Sequence, residues 1–498
     1  MTFPFVLFIL TLAPCLCMCG RPNGEDDNEW QTFADQVRAQ TRRVWDAYRE
    51  HAWAFDELRP VSDTGSDWYS RSMMMTPIDA IDTLLLMGLH REANEAIALV
   101  LDEFHPAQID DSVLVFEIVI RHVGGLLSAY QWTCDAGLLE RAEQLMLRMM
   151  PAFDTPTGIP LTHINLATGG ACGHRTGPTA SGTLIVEMAT LSRLTGNATY
   201  EAVARRAMDA LYARQSSLNL VGSGIDADSG KWTDTEASIG SGSDSYYEYL
   251  AKCWSLLDHD PTCWAMWNAS LHGINGYLAD RQSDGWLWYG KADMFTGERT
   301  ATEYGALDAF FPAVLALTGN VDRAARLHRS SHRMWTLYGL EPELLDYTSM
   351  GIVRGDYLLR PEIIESAWAL YNATRDPIYL EMAKTYWEDI LARCTTPSAF
   401  AEVADVRNPM AGYYDRMQSF VLAETLKYLY LLFVTGATSD MPAPAYESCQ
   451  KPDVWHRSVR SVIRHLGHCT VFNTEGHPLW KASRPGSCVD LRTLPMEP

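Results

Sequence analysis

The chain has 498 residues, of which 47% are hydrophobic and 20% charged, and its formal net charge is −22. This composition supports a sizeable core and excludes global disorder, and the length fits one large domain or two or three ordinary ones. The acidic field repels polyanions, which argues against nucleic acid and anionic membrane surfaces as partners; a neutral glycan is not repelled, and a divalent cation is attracted.

Residues 1–20 carry no charged side chain, and the apolar run Phe3–Leu12 is followed closely by a polar, acidic stretch from Arg21. That run is too short to span a bilayer and reads as a cleaved signal peptide, although no Lys or Arg precedes it; an uncleaved anchor is the alternative. Eleven cysteines fall to eight if Cys15, Cys17 and Cys19 leave with the signal. Sequons at Asn197, Asn268 and Asn372 fit a secretory-pathway glycoprotein. Cys253 with Cys263, and Cys449 with Cys469, are candidate disulfides. The end Leu494-Pro495-Met496-Glu497-Pro498 is no retention signal of the Lys-Asp-Glu-Leu type, so residence in the endoplasmic reticulum would need a binding partner.

From Glu29 to Phe433 apolar residues recur at helical spacing, and Gly, Pro, Asn and Asp mark the breaks. A weak repeat runs through this span. One apolar helix ends at Leu84–His90, and a second follows through Glu92–Ala96. The plan returns around Leu191–Asn197, Leu315–Asn320 and Leu370–Asp376. It predicts about 13 or 14 helices in close to seven pairs, stacked as an open solenoid or closed as an α/α toroid. First helices such as Gly182–Met188 are apolar nearly all round, as an inner ring requires, whereas second helices such as Tyr200–Leu211 carry charge on one face. Uneven repeat lengths also favour closure. Leu218–Ser241, rich in Gly, Ser and Asp, reads as hairpin or loop; residues near 435–470 read as a surface insertion and 481–498 as a tail.

Several acids lie in these helical phrases, each beside an aromatic or an arginine. Glu117 has Arg121 four residues on, which can tune it or simply pair with it. Asp244 opens a Ser-Tyr-Tyr-Glu-Tyr helix and could be only its cap. Glu362 and Glu365 share a helix face behind Arg360, where a cation or sugar hydroxyls would separate them, but an exposed helix start explains them equally well. Phe420 and Glu424 are four apart, and Asn473-Thr474-Glu475 offers a hydroxyl and a carbonyl to a hard cation or forms an ordinary turn. Glycosidic hydrolysis needs an acid for the leaving oxygen and a second carboxylate as base or nucleophile, so sugar chemistry leads.

As a set these phrases resemble glycoside hydrolase family 47, the class I α-1,2-mannosidases, over nearly all of the mature chain. The resemblance runs through Ala52–Pro60, Ile78–Leu84, Phe116-Glu117, Gly124–Tyr130, Asp244–Leu250, Arg360–Ser366, Ser419–Phe433 and Phe472–Pro478. It implies an all-α (αα)7 barrel over residues 29–480, with small β-hairpins or loops at one end, in agreement with the seven-pair count. It implies Glu117 as general acid, acting with Arg121 and Asp244, and Glu362 as the base for an inverting attack by water. It further implies Ca2+ bound through Thr474 and water held by Glu365, Glu424 and Glu475, with Phe420 stacked on the mannose ring and Arg360 among the substrate-binding residues.

The chain departs from the processing mannosidases at Ala306, where a histidine is usual, and at Gly242, where an arginine is. It is closer to the ER degradation-enhancing α-mannosidase-like branch, on Phe310-Phe311-Pro312, Gly319-Asn320-Val321-Asp322, Leu359-Arg360-Pro361-Glu362 and Asp415-Arg416-Met417. Within that branch Gln418 stands where an acid is typical. The resemblance therefore implies a Ca2+-dependent mannosidase that trims N-glycans of misfolded glycoproteins in the endoplasmic reticulum lumen, with a disulfide isomerase-type oxidoreductase as a candidate partner. A catalytically weak, mannose-binding lectin-like receptor is the rival, and a helical scaffold without a glycan site is the third reading.

Overall fold

The computed structural model describes residues 23–438, 458–481 and 483–494. The expected signal peptide, Cys449 and most of the expected insertion lie outside the described residues. The first helix, α1 (Asn23–His51), leads into α2 (Met75–Leu86), of which every residue is buried, and then α3 (His90–Glu103). A helical run over 115–133 (α4) precedes α5 (Ala136–Met149), and a run over 178–195 broken at 183–184 (α6) precedes α7 (Thr199–Tyr212). Next come α8 (Asp244–Leu256), α9 (Pro261–Gly273), the run 307–317 (α10) and α11 (Val321–Thr336). The set closes with α12 (Glu362–Thr374), α13 (Ile378–Cys394) and the run 421–436 (α14), followed by the short α15 (Val459–His465).

Even-numbered helices form an inner ring: α2 packs on α4, and contact passes in order through α6, α8, α10, α12 and α14 back to α2. Each is covered outside by an odd-numbered helix, with α1 closing on α14. This is the expected (αα)7 barrel. The chemistry of each ring follows its place. Residues Leu426–Gly436 of α14 are all buried, whereas α11 buries Ala324, Leu327, Met334 and Trp335 and turns Arg326 and Arg329 to solvent. Helix stops are local: Gly196 ends α6 at φ 78°, and Asp260 caps α9 by accepting the Thr262 N–H at 2.8 Å behind Pro261.

Up to α13, connections from even to odd helices are short turns, such as 87–89 and 318–320, whereas those from odd to even carry small antiparallel sheets. The sheets therefore gather at the end where the inner helices begin. Leu218–Ser241 holds three of these strands, as its composition suggests. A last hairpin, Thr470–Phe472 paired with Pro478–Trp480, enters the barrel and packs on the inner helices α4, α6 and α8. Room for its tip comes from Gly124 of α4, where a Cβ would lie 2.4 Å from the Asn473 amide nitrogen.

Cys253–Cys263 ties α8 to α9, as expected, and Cys134–Cys488, not anticipated, ties the end of α4 to the C-terminal stretch. That stretch, expected as a tail, is strapped to the barrel: Val489 N–H donates to the Gln131 carbonyl at 2.8 Å, Arg492 donates to the Thr133 carbonyl at 2.8 Å, and Leu491 is buried. Among the described residues no helix is long and apolar enough to cross a membrane.

Candidate active site

A cavity of about 300 Å3 opens where the inner helices begin. Its wall contains Glu117, Arg121, Asp244, Arg360, Glu362, Glu365, Phe420, Glu424, Thr474 and Glu475, residues that span more than 350 positions of sequence. Every candidate named from the sequence thus meets the others in one place. Seven carboxylates, Glu248 included, face two guanidiniums across this space.

Glu117 and Arg121 sit on α4, where Ile118–Val123 relaxes into a π turn, a distortion frequent at functional sites. Arg121 Nε donates to Glu117 Oε2 at 2.8 Å, and its Nη1 pairs with Glu475, with Ser419 Oγ at 3.3 Å and with Asp79 at 3.6 Å. Burial works against this guanidinium, but Glu475, Glu117 and Asp79 hold its pKa well above the usual value. The pair is structural and in the cavity at once.

Asp244 opens α8 but does not serve as a simple cap. Its Oδ1 accepts the Thr179 hydroxyl at 2.6 Å as well as the Ser245 N–H at 2.8 Å. Burial pushes its pKa up to about 6 against these two bonds.

Glu362 opens α12. Just before it, Leu359 takes a left-handed conformation at φ 61°, costly for a leucine, and its carbonyl accepts the Thr425 hydroxyl at 2.8 Å. This bend aims Arg360, Pro361 and Glu362 at the cavity. Arg360 bonds Glu343 at 2.8 and 3.2 Å and lies 5.8 Å from the Phe420 ring centre. Glu362 has one carboxylate oxygen with no hydrogen-bond partner, and burial pushes its pKa up to about 8 although Arg360 opposes. Glu365 is raised to about 7 by burial against Lys252, and Glu475 to about 8 by burial against Arg121. Glu424, on a π turn of α14, is raised by burial and then by Glu475, Glu362 and Glu365.

The hairpin tip is clamped from several helices. Lys252 of α8 donates to the Asn473 carbonyl at 3.2 Å, and Lys427 of α14 donates to the Gly476 carbonyl at 2.6 Å. His477 meets Asp82 at 2.8 Å and Asp79 at 3.3 Å, both on α2. Gly476 turns at φ 70°, and a Cβ there would lie 2.9 Å from Glu424. Held this way, Thr474 gives its N–H to the Tyr249 hydroxyl at 3.2 Å and lines the cavity.

This donor set suits a hard cation. Thr474, with a hydroxyl and a carbonyl oxygen, stands among crowded carboxylates whose pKa values are raised first by burial and then by one another. Among the described residues no group of three or more His, Cys, Asp or Glu is arranged to ligate a metal directly.

Gly242 lines the cavity without a side chain, and Ala306 is buried beside the cavity residue Leu307. Gln418 stands off the wall and donates to Glu402 Oε1 at 3.3 Å, where an ionised acid would oppose that carboxylate. Sequence reasoning missed Thr179, Glu343, Lys252 and Glu248. The last two were readable as i, i+4 steps from Asp244 along one helix face; Thr179 and Glu343 carry no such spacing.

Residues 40–481 match the profile of glycosyl hydrolase family 47. The chain is 37% identical over 470 residues to the human ER degradation-enhancing alpha-mannosidase-like protein 2, covering 90% of this chain and 77% of that protein. It is 32% identical over 487 residues to the mouse mannosyl-oligosaccharide 1,2-alpha-mannosidase IB, covering 91% of this chain and 70% of that protein. Among solved structures, the alpha-1,2-mannosidase from Trichoderma reesei superposes with a TM-score of 0.78 at 26% identity, covering 90% of this chain and 99% of that one.

Proposed function

The chain belongs to glycosyl hydrolase family 47, and from that premise we propose that it removes terminal α-1,2-linked mannose from high-mannose N-glycans of misfolded glycoproteins in the endoplasmic reticulum lumen, with Ca2+ and with inversion at the anomeric carbon. The observation that carries this reading is the convergence of Glu117, Asp244, Glu362 and Thr474 on one cavity.

The chemistry divides among these residues. A mannose seated against Phe420 places its leaving oxygen toward Glu117, which protonates it, with Arg121 and Asp244 setting the local field. Glu362 accepts a proton from the water that attacks C1 from the opposite face, so one bond forms as the other breaks and the anomer inverts. Arg360 positions Glu362 and the sugar, held by Glu343 at 2.8 Å. Thr474 would hold Ca2+ through its hydroxyl and carbonyl, and Glu365, Glu424 and Glu475 would hold its water ligands. Bound there, Ca2+ supplies positive charge that keeps the crowded carboxylates ionised and orients sugar hydroxyls. Burial pushes the Glu362 pKa up to about 8, and positive charge bound nearby would favour its ionised, basic form.

The wall at Gly242, and Ala306 buried next to the wall residue Leu307, lack side chains that would grip a sugar, and this favours a second reading, a lectin-like receptor with little turnover. A disulfide isomerase-type partner would reach Cys172, which is exposed and free.

Mass spectrometry of a high-mannose glycan incubated with Ca2+ and the full chain tests the proposal. Stepwise loss of mannose, abolished in both Glu117→Gln and Glu362→Gln, is expected. Binding without loss supports the receptor, and loss unaffected by either substitution refutes the assigned roles.

A further inference from the structure

The turn that carries Thr474 on the cavity wall is set by residues behind that wall. Its N–H donates to the Tyr249 hydroxyl at 3.2 Å, and that hydroxyl donates to Glu187 Oε1 at 2.6 Å. The same carboxylate oxygen accepts the Asn473 side-chain amide at 2.8 Å, which also donates to the Ile120 carbonyl at 2.7 Å. Asn473 Oδ1 then accepts the N–H groups of Glu475 at 3.0 Å and His477 at 2.8 Å, which closes the turn around Thr474. One oxygen of Glu187 thus holds both the residue that takes the Thr474 N–H and the residue that shapes the turn.

Glu187 does not line the cavity and is fully buried in α6, between Val186 and Met188. Its second oxygen has no hydrogen-bond partner. A carboxylate at that depth is expensive to desolvate, and an apolar side chain would pack this helix as well. Packing alone therefore does not explain an acid here. Orienting the turn does, because groups behind a metal ligand fix its direction and tune its affinity.

We propose that Glu187, acting through Tyr249 and Asn473, is the positioning residue that directs the Thr474 hydroxyl and carbonyl toward a hard divalent cation. It touches neither sugar nor cation. The inference rests on the reading of Thr474 as a calcium ligand and adds the element that makes a single-residue ligand adequate: the turn is organised before the cation arrives.

Isothermal titration of Ca2+ into the full chain, with melting curves recorded with and without Ca2+, tests this. Tyr249→Phe removes the acceptor of the Thr474 N–H, and Glu187→Leu removes the shared oxygen while filling its volume. Each is expected to weaken Ca2+ binding roughly ten- to hundred-fold with little change in melting without Ca2+. Glu187→Gln, whose amide oxygen still accepts both bonds, is expected to bind nearly as the wild type does. If one of the first two variants fails to fold, the other carries the test. Wild-type affinity in the folded variants overturns the inference, as does a lower melting temperature with affinity unchanged. A wild-type chain that binds no Ca2+ overturns the reading of Thr474 itself, and that failure is distinct because it appears before any substitution.

Discussion

Replacing His477 with Gln would remove a proton from the centre of the barrel, and the cost should depend on pH in a defined direction. Both imidazole nitrogens face carboxylates, Asp82 at 2.8 Å and Asp79 at 3.3 Å, and the ring is fully buried. Burial alone would lower its pKa, but Asp82 and Asp79 outweigh that and raise it to about 9. Against an unfolded value near 6.5, a shift of that size corresponds to ~3 kcal/mol of stability. Because the folded pKa is the higher one, this contribution is complete below about pH 6.5 and fades as pH rises through about 9. Asp82 is lowered to about 2, with Lys427 and His477 overcoming burial, so its share is present above about pH 4 and is lost as pH falls toward 2. The two shifts describe one pairing from its two ends and are not summed. The His477 value is the better guide, because Asp82 is also held by Lys427 at 2.7 Å. Urea unfolding of wild type and His477→Gln from pH 5 to 10 measures the difference. A gap of ~3 kcal/mol at pH 6 that shrinks toward pH 10 is expected. A gap independent of pH would refute the charged pairing.

Other perturbations address the cavity and its frame. Thr179→Val removes the 2.6 Å bond to Asp244 and so lets its pKa rise above about 6; the acidic limb of kcat/KM should move to higher pH while the melting temperature holds. Gly124→Ala places a methyl 2.4 Å from the Asn473 amide, so calorimetry should show a loss of ~1–3 kcal/mol, and Ca2+ titration should show weaker binding. Cys134→Ser frees the C-terminal strap, and denaturant unfolding should register a loss of about 2–4 kcal/mol with the cavity chemistry retained.

Much of this architecture is legible in the sequence because the two rings of helices demand different side chains. A helix buried on all sides, such as α2, has no polar face to spare, and an outer helix such as α11 must show arginines to water. The site acids are legible for a related reason: Glu117 with Arg121, and Asp244 with Glu248, lie on helices whose spacing puts them on one face. What escapes is whatever depends on contact between distant segments. Thr179 reaches Asp244 only because a broken helix brings it there, and Glu343 reaches Arg360 from the bend just before the strand Leu344–Asp346. Lys252 has Glu248 four residues before it, but its bond to the Asn473 carbonyl joins segments far apart in the chain; Lys427 sits in an apolar run, and its partner, the Gly476 carbonyl, is also distant. Gln418, where an acid is typical of the branch, donates to Glu402, a bond its position in the sequence does not reveal.

Proton NMR of the anomeric region during glycan cleavage tests the central claim most directly. With Glu117 and Glu362 acting from opposite faces of the sugar and Ca2+ seated at Thr474, β-mannose should appear first, mutarotate afterwards, and fail to appear once Ca2+ is chelated. Release of α-mannose first, or release that persists in excess chelator, would contradict the account.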